Sequence, residues 1–272
     1  MSDRAKSFVR NHPVLVYAVC CLVPVHAVLW TARGLGSEPE SLQALKLPLS
    51  ILPTLTAFVL TYLLSGEKGV IGMARRTFLK TTGVRVYFLG LLVFPALAGL
   101  ALIVRTLHDG YFPPSYEWKA WYLVLLASPF LLIIPGILEE YGWRGFMQER
   151  LQNTTNVFAA SFIVGLTWGA WHMMDFLMGR WLFEPYVVIV FFVYITAVSL
   201  IVGLFYKWSG GSVFVAMLVH FSANIVNFFI PIWLLEPGLL TPLIFIALTW
   251  LLIMILFLGS IFGKAKTGEA DA

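Results

Sequence analysis

The run AWYLVLLASPFLLIIPGIL, residues 120–138, carries no charge and ends directly on Glu139-Glu140-Tyr141-Gly142-Trp143-Arg144. A helix needs about 20 apolar residues to cross the hydrocarbon core of a bilayer, and this run supplies them. Two carboxylates at or inside the inner edge of such a span are expensive, since an unpaired charge there costs at least ~2.5–3.5 kcal/mol. They need partners or a task. Glu140 and Arg144 lie four residues apart with the acid N-terminal, the favoured order for an ion pair on one helix face. Glu139 is rotated about 100° from its neighbour and away from that arginine, which leaves it available as a general base. On this stretch alone, an ordinary charge cluster at a helix end remains an open reading.

Outward from this stretch, the charges punctuate the chain into eight charge-free runs: 11–32, 47–66, 86–104, 120–138, 151–174, 185–206, 208–235 and 237–263. The chain of 272 residues is 60% hydrophobic and 12% charged, against about 25% charged in a soluble domain. Open strands cannot cross a bilayer, because their backbone groups would go unpaired. The expectation is an all-α, polytopic membrane bundle of about eight transmembrane helices, forming one domain over 1–272. The first run, 11–32, is expected to stay in place as a span, being too long and lacking a small-residue exit for a cleaved leader. Cys20 and Cys21 sit within it and read as small buried hydrophobes.

The net charge of +4 does not indicate nucleic acid. With the N-terminus cytoplasmic, thirteen Lys and Arg fall in inner segments and five, Arg33, Lys46, Arg105, Lys119 and Arg180, in outer ones. This bias follows the positive-inside rule with both termini cytoplasmic. The basic stretch 67–85 is expected to hold a short amphipathic helix on the inner leaflet. Residues 264–272 are expected to form a short disordered tail.

The remaining polar groups concentrate in three spans. Span 5 carries Trp168-Gly169-Ala170-Trp171-His172, so that Trp168, one turn before His172, can hold the imidazole. Counting 1.5 Å per residue from Asn156 puts His172 about 24 Å from the inner face, deeper than the edge position assigned to Glu139. Asp175 reads as the end of that helix. Span 7 carries His220 and Asn224 on one helix face. His26, in span 1, reads as a structural histidine satisfied by a neighbouring helix. Span 6 (185–206) has almost no polar groups and reads as lipid-facing. Clustering in spans 4, 5 and 7 favours one buried polar site.

Taken together these residues resemble the CAAX protease and bacteriocin-processing family of intramembrane endopeptidases. The motif set is EExxxR at 139–144, aromatic-xxx-His ending at His172, and HxxxN at 220–224. Each motif alone is common, whereas three in this order, each in its own span, are specific. The resemblance covers about 125–230; Trp168 stands where the family often has phenylalanine. It implies that Glu139 and His172 activate a water for attack on a peptide carbonyl, that His220 and Asn224 stabilise the oxyanion, and that Glu140, Arg144 and Trp168 support them. It also implies a multi-pass protein of the cell membrane, a membrane-associated protein or peptide as substrate, and a site facing the cytoplasm.

The family is commonly labelled metalloprotease. Glu139, His172 and His220 are the candidate ligands for a zinc with an open fourth position, although the HExxH spacing is absent and a metal-free glutamate mechanism fits equally. Two other function classes remain to be weighed. One is a non-catalytic bacteriocin-immunity or scaffold protein of the same fold, which has no need for a base facing donors. The other is a transporter, which the lack of an inverted repeat weakens.

Overall fold

The structure is a computed structural model that describes residues 3–78, 83–110, 126, 129–130, 134, 136–181, 183–229, 232 and 239–267. Helix α1 (Asp3–Asn11) leads into α2 (Pro13–Gly34), with Pro13 at the first helical position, where a missing N–H costs nothing. Two short turns, Pro39–Gln43 and Lys46–Ser50, precede α3 (Leu52–Arg75). Then follow α4 (Val84–Asp109), a helical segment α5 (136–151), α6 (Val157–Leu177), α7 (Pro185–Trp208), α8 (Val213–Phe229) and α9 (Leu240–Thr267). Among the described residues six helices are long and apolar enough to cross a membrane, and the apolar stretch Val213–Asn227 is shorter. The remaining expected span, 120–138, lies mostly outside the described residues, as does the outer connection from 111 onward.

Large apolar side chains stand exposed along the outer helices, among them Leu15, Val19 and Val23 on α2, Phe88, Leu89 and Leu92 on α4, and Ile255 and Leu258 on α9. On a soluble protein so broad an apolar surface would aggregate; here it is the surface that lipid covers.

Span 6 departs from its lipid-facing reading. In α7 every residue from Tyr194 to Tyr206 is buried, and 61% of its most apolar window lies inside the bundle, more than in any other candidate span. The cause is a stripe of small residues at four-residue spacing on α6: Ser161, Gly165 and Gly169. A Cβ on Gly165 would come within 2.9 Å of the Thr196 Cα, and one on Gly169 within 2.8 Å of the Phe192 ring. On α7, Gly203 answers in kind, since its Cβ would meet Ser161 Oγ and Gln148 Nε2. Backbones that close leave no room for lipid between them.

The basic stretch after span 2 holds a short helix of its own. Gly66 adopts φ +64° and ψ −162°, a conformation costly for other residues, and breaks α3 there. The chain continues as helix to Arg75 and as a 3-10 turn to Phe78, with Met73 buried back against Thr61. At the other end, α9 runs to Thr267, so that the first residues of the expected tail are helical.

The two ends of the bundle carry different chemistry. Near the end that holds Asp3, Arg76 pairs with Glu149 at 2.5 Å and donates to the Tyr206 hydroxyl at 3.3 Å, while Tyr206 donates to Glu149 at 2.9 Å. Burial opposes the charge of Arg76, but the bond to Glu149 holds its pKa above the ordinary value. At the opposite end Arg33 donates to the Leu177 carbonyl at 2.7 Å, and Lys46 and Arg180 converge on Asp175. These contacts tie the α2–α3 connection to the α6–α7 connection.

Candidate active site

Glu139 does not stand at the end of its helix. The chain is π-helical over Gly136–Glu140 and again over Trp143–Gln148, and the helix continues to Leu151. Glu139 therefore lies roughly 18 Å from that end, counting 1.5 Å per residue. His172, in α6, lies about 24 Å from the Asn156 cap on the same count. The apparent mismatch in depth between the two residues thus narrows to about 6 Å, and both are carried deep into the bundle. Wide π turns of this kind recur where helices serve a functional site.

The adjacent acids separate as their spacing predicts. Glu140 and Arg144 are fully buried and pair at 3.0 Å. Arg144 also donates to Ser199 Oγ at 3.2 Å, and its guanidinium lies over the Trp168 ring at 5.0 Å. Glu139 faces a cavity of about 820 Å³ and is 6% exposed. Its Oε2 accepts from Trp168 Nε1 at 2.8 Å and from Trp143 Nε1 at 3.4 Å. Two indoles, not a cation, hold this carboxylate in place.

Trp168 joins the three motifs. Beyond its bond to Glu139, its ring lies 5.6 Å from that of His172 and 5.0 Å from that of His220, the latter edge-on. His172 is further enclosed by Trp171, Trp181 and Phe191.

Each histidine is backed by a carboxylate. His172 Nδ1–H donates to Asp175 Oδ2 at 2.8 Å, and His220 Nδ1–H donates to Glu140 Oε1 at 2.8 Å. A carboxylate can only accept, which fixes the proton on Nδ1 in both rings and leaves each Nε2 with a lone pair when the ring is neutral. Asp175 is thus an orienting group and not a mere helix end. It is fully buried, and its Oδ1 accepts from Lys46 at 2.5 Å and Arg180 at 2.8 Å. His26 behaves as the satisfied structural histidine it resembles, lying 3.0 Å from the Ala170 carbonyl and so tying α2 to α6.

The cavity brings together Glu139, Trp168, His172, His220 and Asn224, the set singled out in the sequence, while Glu140 and Arg144 lie beneath it. It also holds residues that the sequence reading passed over: Lys46, Arg180, Trp181 and Tyr194, together with Asn227, which accepts from the Tyr194 hydroxyl at 3.0 Å. Lys46, Arg180 and Trp181 come from connections, where nothing in the local pattern announces a site. The remaining walls are apolar, supplied by side chains such as Leu138, Val190 and Phe191.

Carboxylate-backed imidazoles are also the arrangement found around metal ions. Among the described residues, however, no three His, Cys, Asp or Glu side chains converge to hold one. Glu139, His172 and His220 share a cavity wall without forming a ligand set for zinc.

Lys46 and Arg180, whose side chains are 30% and 31% exposed, line the cavity. They stand at the end of the bundle away from Asp3.

The family model "Type II CAAX prenyl endopeptidase Rce1-like" matches residues 119–226, a span that contains Glu139, His172, His220 and Asn224. "CAAX prenyl protease 2" of Methanococcus maripaludis is 25% identical over 145 residues, which cover 49% of this chain and 52% of that protein. The chain thus spans about half the length of that curated relative. The ordered motifs, the helical bundle that brings them to one cavity, and these two matches all point the same way: over residues 119–226 the chain is similar to the CAAX protease and bacteriocin-processing family.

Proposed function

We propose that this protein is an intramembrane endopeptidase that hydrolyses a peptide bond of a membrane-associated protein or peptide. One observation carries the reading: Glu139 and a carboxylate-backed His172 face the same cavity inside an apolar bundle. A structural acid would be expected to sit on a cation, as Glu140 does, and not on two indole N–H groups at a cavity wall.

The chemistry follows from which atoms are free. A water between Glu139 and His172 Nε2 meets two acceptors. Glu139 takes one proton as the water oxygen bonds to the carbonyl carbon. The developing oxyanion needs donors, and the Asn224 amide supplies them without changing protonation. His220 has its Nδ1–H committed to Glu140, so it donates from Nε2 only as an imidazolium. Glu140 orients that ring, a task beyond pairing with Arg144. Collapse of the tetrahedral intermediate breaks the C–N bond, and the proton held by Glu139 goes to the departing amine.

The test is proteolysis by the purified protein in lipid vesicles, using membrane-anchored peptides, with Glu139→Gln beside the wild type. Cleavage by the wild type and its loss in the variant are expected. Equal cleavage by both would remove Glu139 from the base role. Peptide binding without cleavage by the wild type would instead favour the non-catalytic scaffold.

A further inference from the structure

Three donors crowd one acid beside the cavity. Asp175 Oδ1 accepts from Lys46 Nζ at 2.5 Å and from Arg180 Nη1 at 2.8 Å, while Oδ2 is taken by His172. With a neutral imidazole the cluster of Lys46, Arg180 and Asp175 carries a surplus positive charge. Asp175 occupies one donor of each cation, out of three on an ammonium and five on a guanidinium. Both cations line the cavity and keep about a third of their side chains exposed, whereas Asp175 has none.

We propose that Lys46 and Arg180 bind a carboxylate of the peptide substrate close to the scissile bond, an assignment that rests on the endopeptidase reading. The two cations lie one carboxylate away from His172, within a few residues of extended chain at about 3.3–3.6 Å each. Apolar walls around them lower the local dielectric and strengthen the attraction for an anion. A guanidinium presents paired N–H groups that match a carboxylate, with the lysine as a second point charge. The carboxylate has two sources, the free C-terminus of the peptide or an Asp or Glu side chain. Bound there, it would fix which peptide bond reaches Glu139 and His172.

The experiment uses the full chain carrying Glu139→Gln, which removes turnover, in nanodiscs of phosphatidylcholine alone. The probes are a fluorescent, palmitoylated apolar peptide with a free C-terminal acid, its C-terminal amide, and the amide carrying one Asp near its C-terminus. The acid form is expected to bind about tenfold or more tightly than the plain amide, the scale of one charge-assisted hydrogen bond. Recovery of affinity by the Asp peptide would assign the site to a side chain as well, and its absence would assign the site to the C-terminus. Adding Arg180→Gln should remove the preference for acid, and Arg180→Lys should keep most of it. Equal affinity of acid and amide, no binding of the acid form, or an intact preference in Arg180→Gln would overturn the proposal. Tight binding of the acid form without cleavage by the wild type would overturn the endopeptidase reading and leave the carboxylate site standing.

Discussion

The indole N–H of Trp168 donates to Glu139 Oε2 at 2.8 Å, a bond between residues 29 positions apart on different helices. It turns the carboxylate toward the cavity, while the same ring stands beside His172 and His220. Trp168→Phe keeps the ring and removes the donor, leaving the longer Trp143 contact at 3.4 Å. A fall of about tenfold in kcat with KM little changed is expected, the loss of one hydrogen bond to a charged group. Trp168→Ala also removes the ring from the core and should cost about 3–5 kcal/mol of stability. Wild-type kcat in Trp168→Phe would leave the bond no part in catalysis.

Asp175 fixes the His172 tautomer in the manner of a buried acid behind a catalytic imidazole. Asp175→Asn keeps the shape but can present an amide N–H to Nδ1, which would turn the imidazole proton to Nε2 and remove its lone pair from the cavity. The rate should fall by about 10²–10⁴-fold while the protein remains folded. Glutamate at 175 would not test this, because the longer side chain shifts the ring. Near-wild-type kcat in Asp175→Asn would return this residue to a purely structural role.

Glu140 and Arg144 answer to stability and to activity separately. Arg144→Met strands a fully buried carboxylate and should lower stability by about 3–5 kcal/mol. Adding Glu140→Leu removes the stranded charge and should restore much of that loss in thermal unfolding in detergent. Activity should not return, since His220 Nδ1 loses its acceptor at 2.8 Å. Recovery of activity in the double variant would show that Glu140 serves Arg144 alone.

Most of the polar lining of the cavity was legible in the sequence because a polar group in an apolar span has few innocent explanations. Glu139, His172, His220 and Asn224 stood out against uncharged neighbours, and the i, i+4 pairing of Glu140 with Arg144 followed from helix geometry. Asp175, Lys46 and Arg180 were not legible as a set, since the contacts between Lys46 and Asp175 close over 129 residues. The burial of α7 was misread for a different reason. Lipid and protein interior are equally apolar, so hydropathy cannot tell a central helix from a peripheral one. The usable signal was the Ser161, Gly165 and Gly169 stripe on the neighbouring helix.

That stripe makes Gly165 a sensitive position. A Cβ there meets the Thr196 Cα at 2.9 Å and the Ser199 Cβ at 3.0 Å, and a backbone atom cannot swing aside. Gly165→Val should separate α6 from α7 at about 1–3 kcal/mol, the usual range for overpacking. His172 rides on α6, so activity should fall with the loss of stability. An unchanged melting temperature would mean that the helices are not in this close contact.

Membrane orientation is testable with two cysteines. Glu38 is exposed at the Lys46 and Arg180 end, and Asn153 is exposed at the end that holds Asp3. In a background lacking Cys20 and Cys21, Glu38→Cys and Asn153→Cys should react with an impermeant maleimide from opposite sides of the membrane. The thirteen-to-five distribution of basic residues puts Asn153 on the cytoplasmic side, so intact cells should label Glu38→Cys. Lys46 and Arg180 would then stand on the side away from the cytoplasm. The reverse labelling would keep the cytoplasmic site that the family resemblance implies and make this chain an exception to the charge rule. Labelling of both positions from one side is incompatible with the fold, because the helix from 136 to 151 and its partner α6 would no longer bring Glu139 and His172 to the same depth.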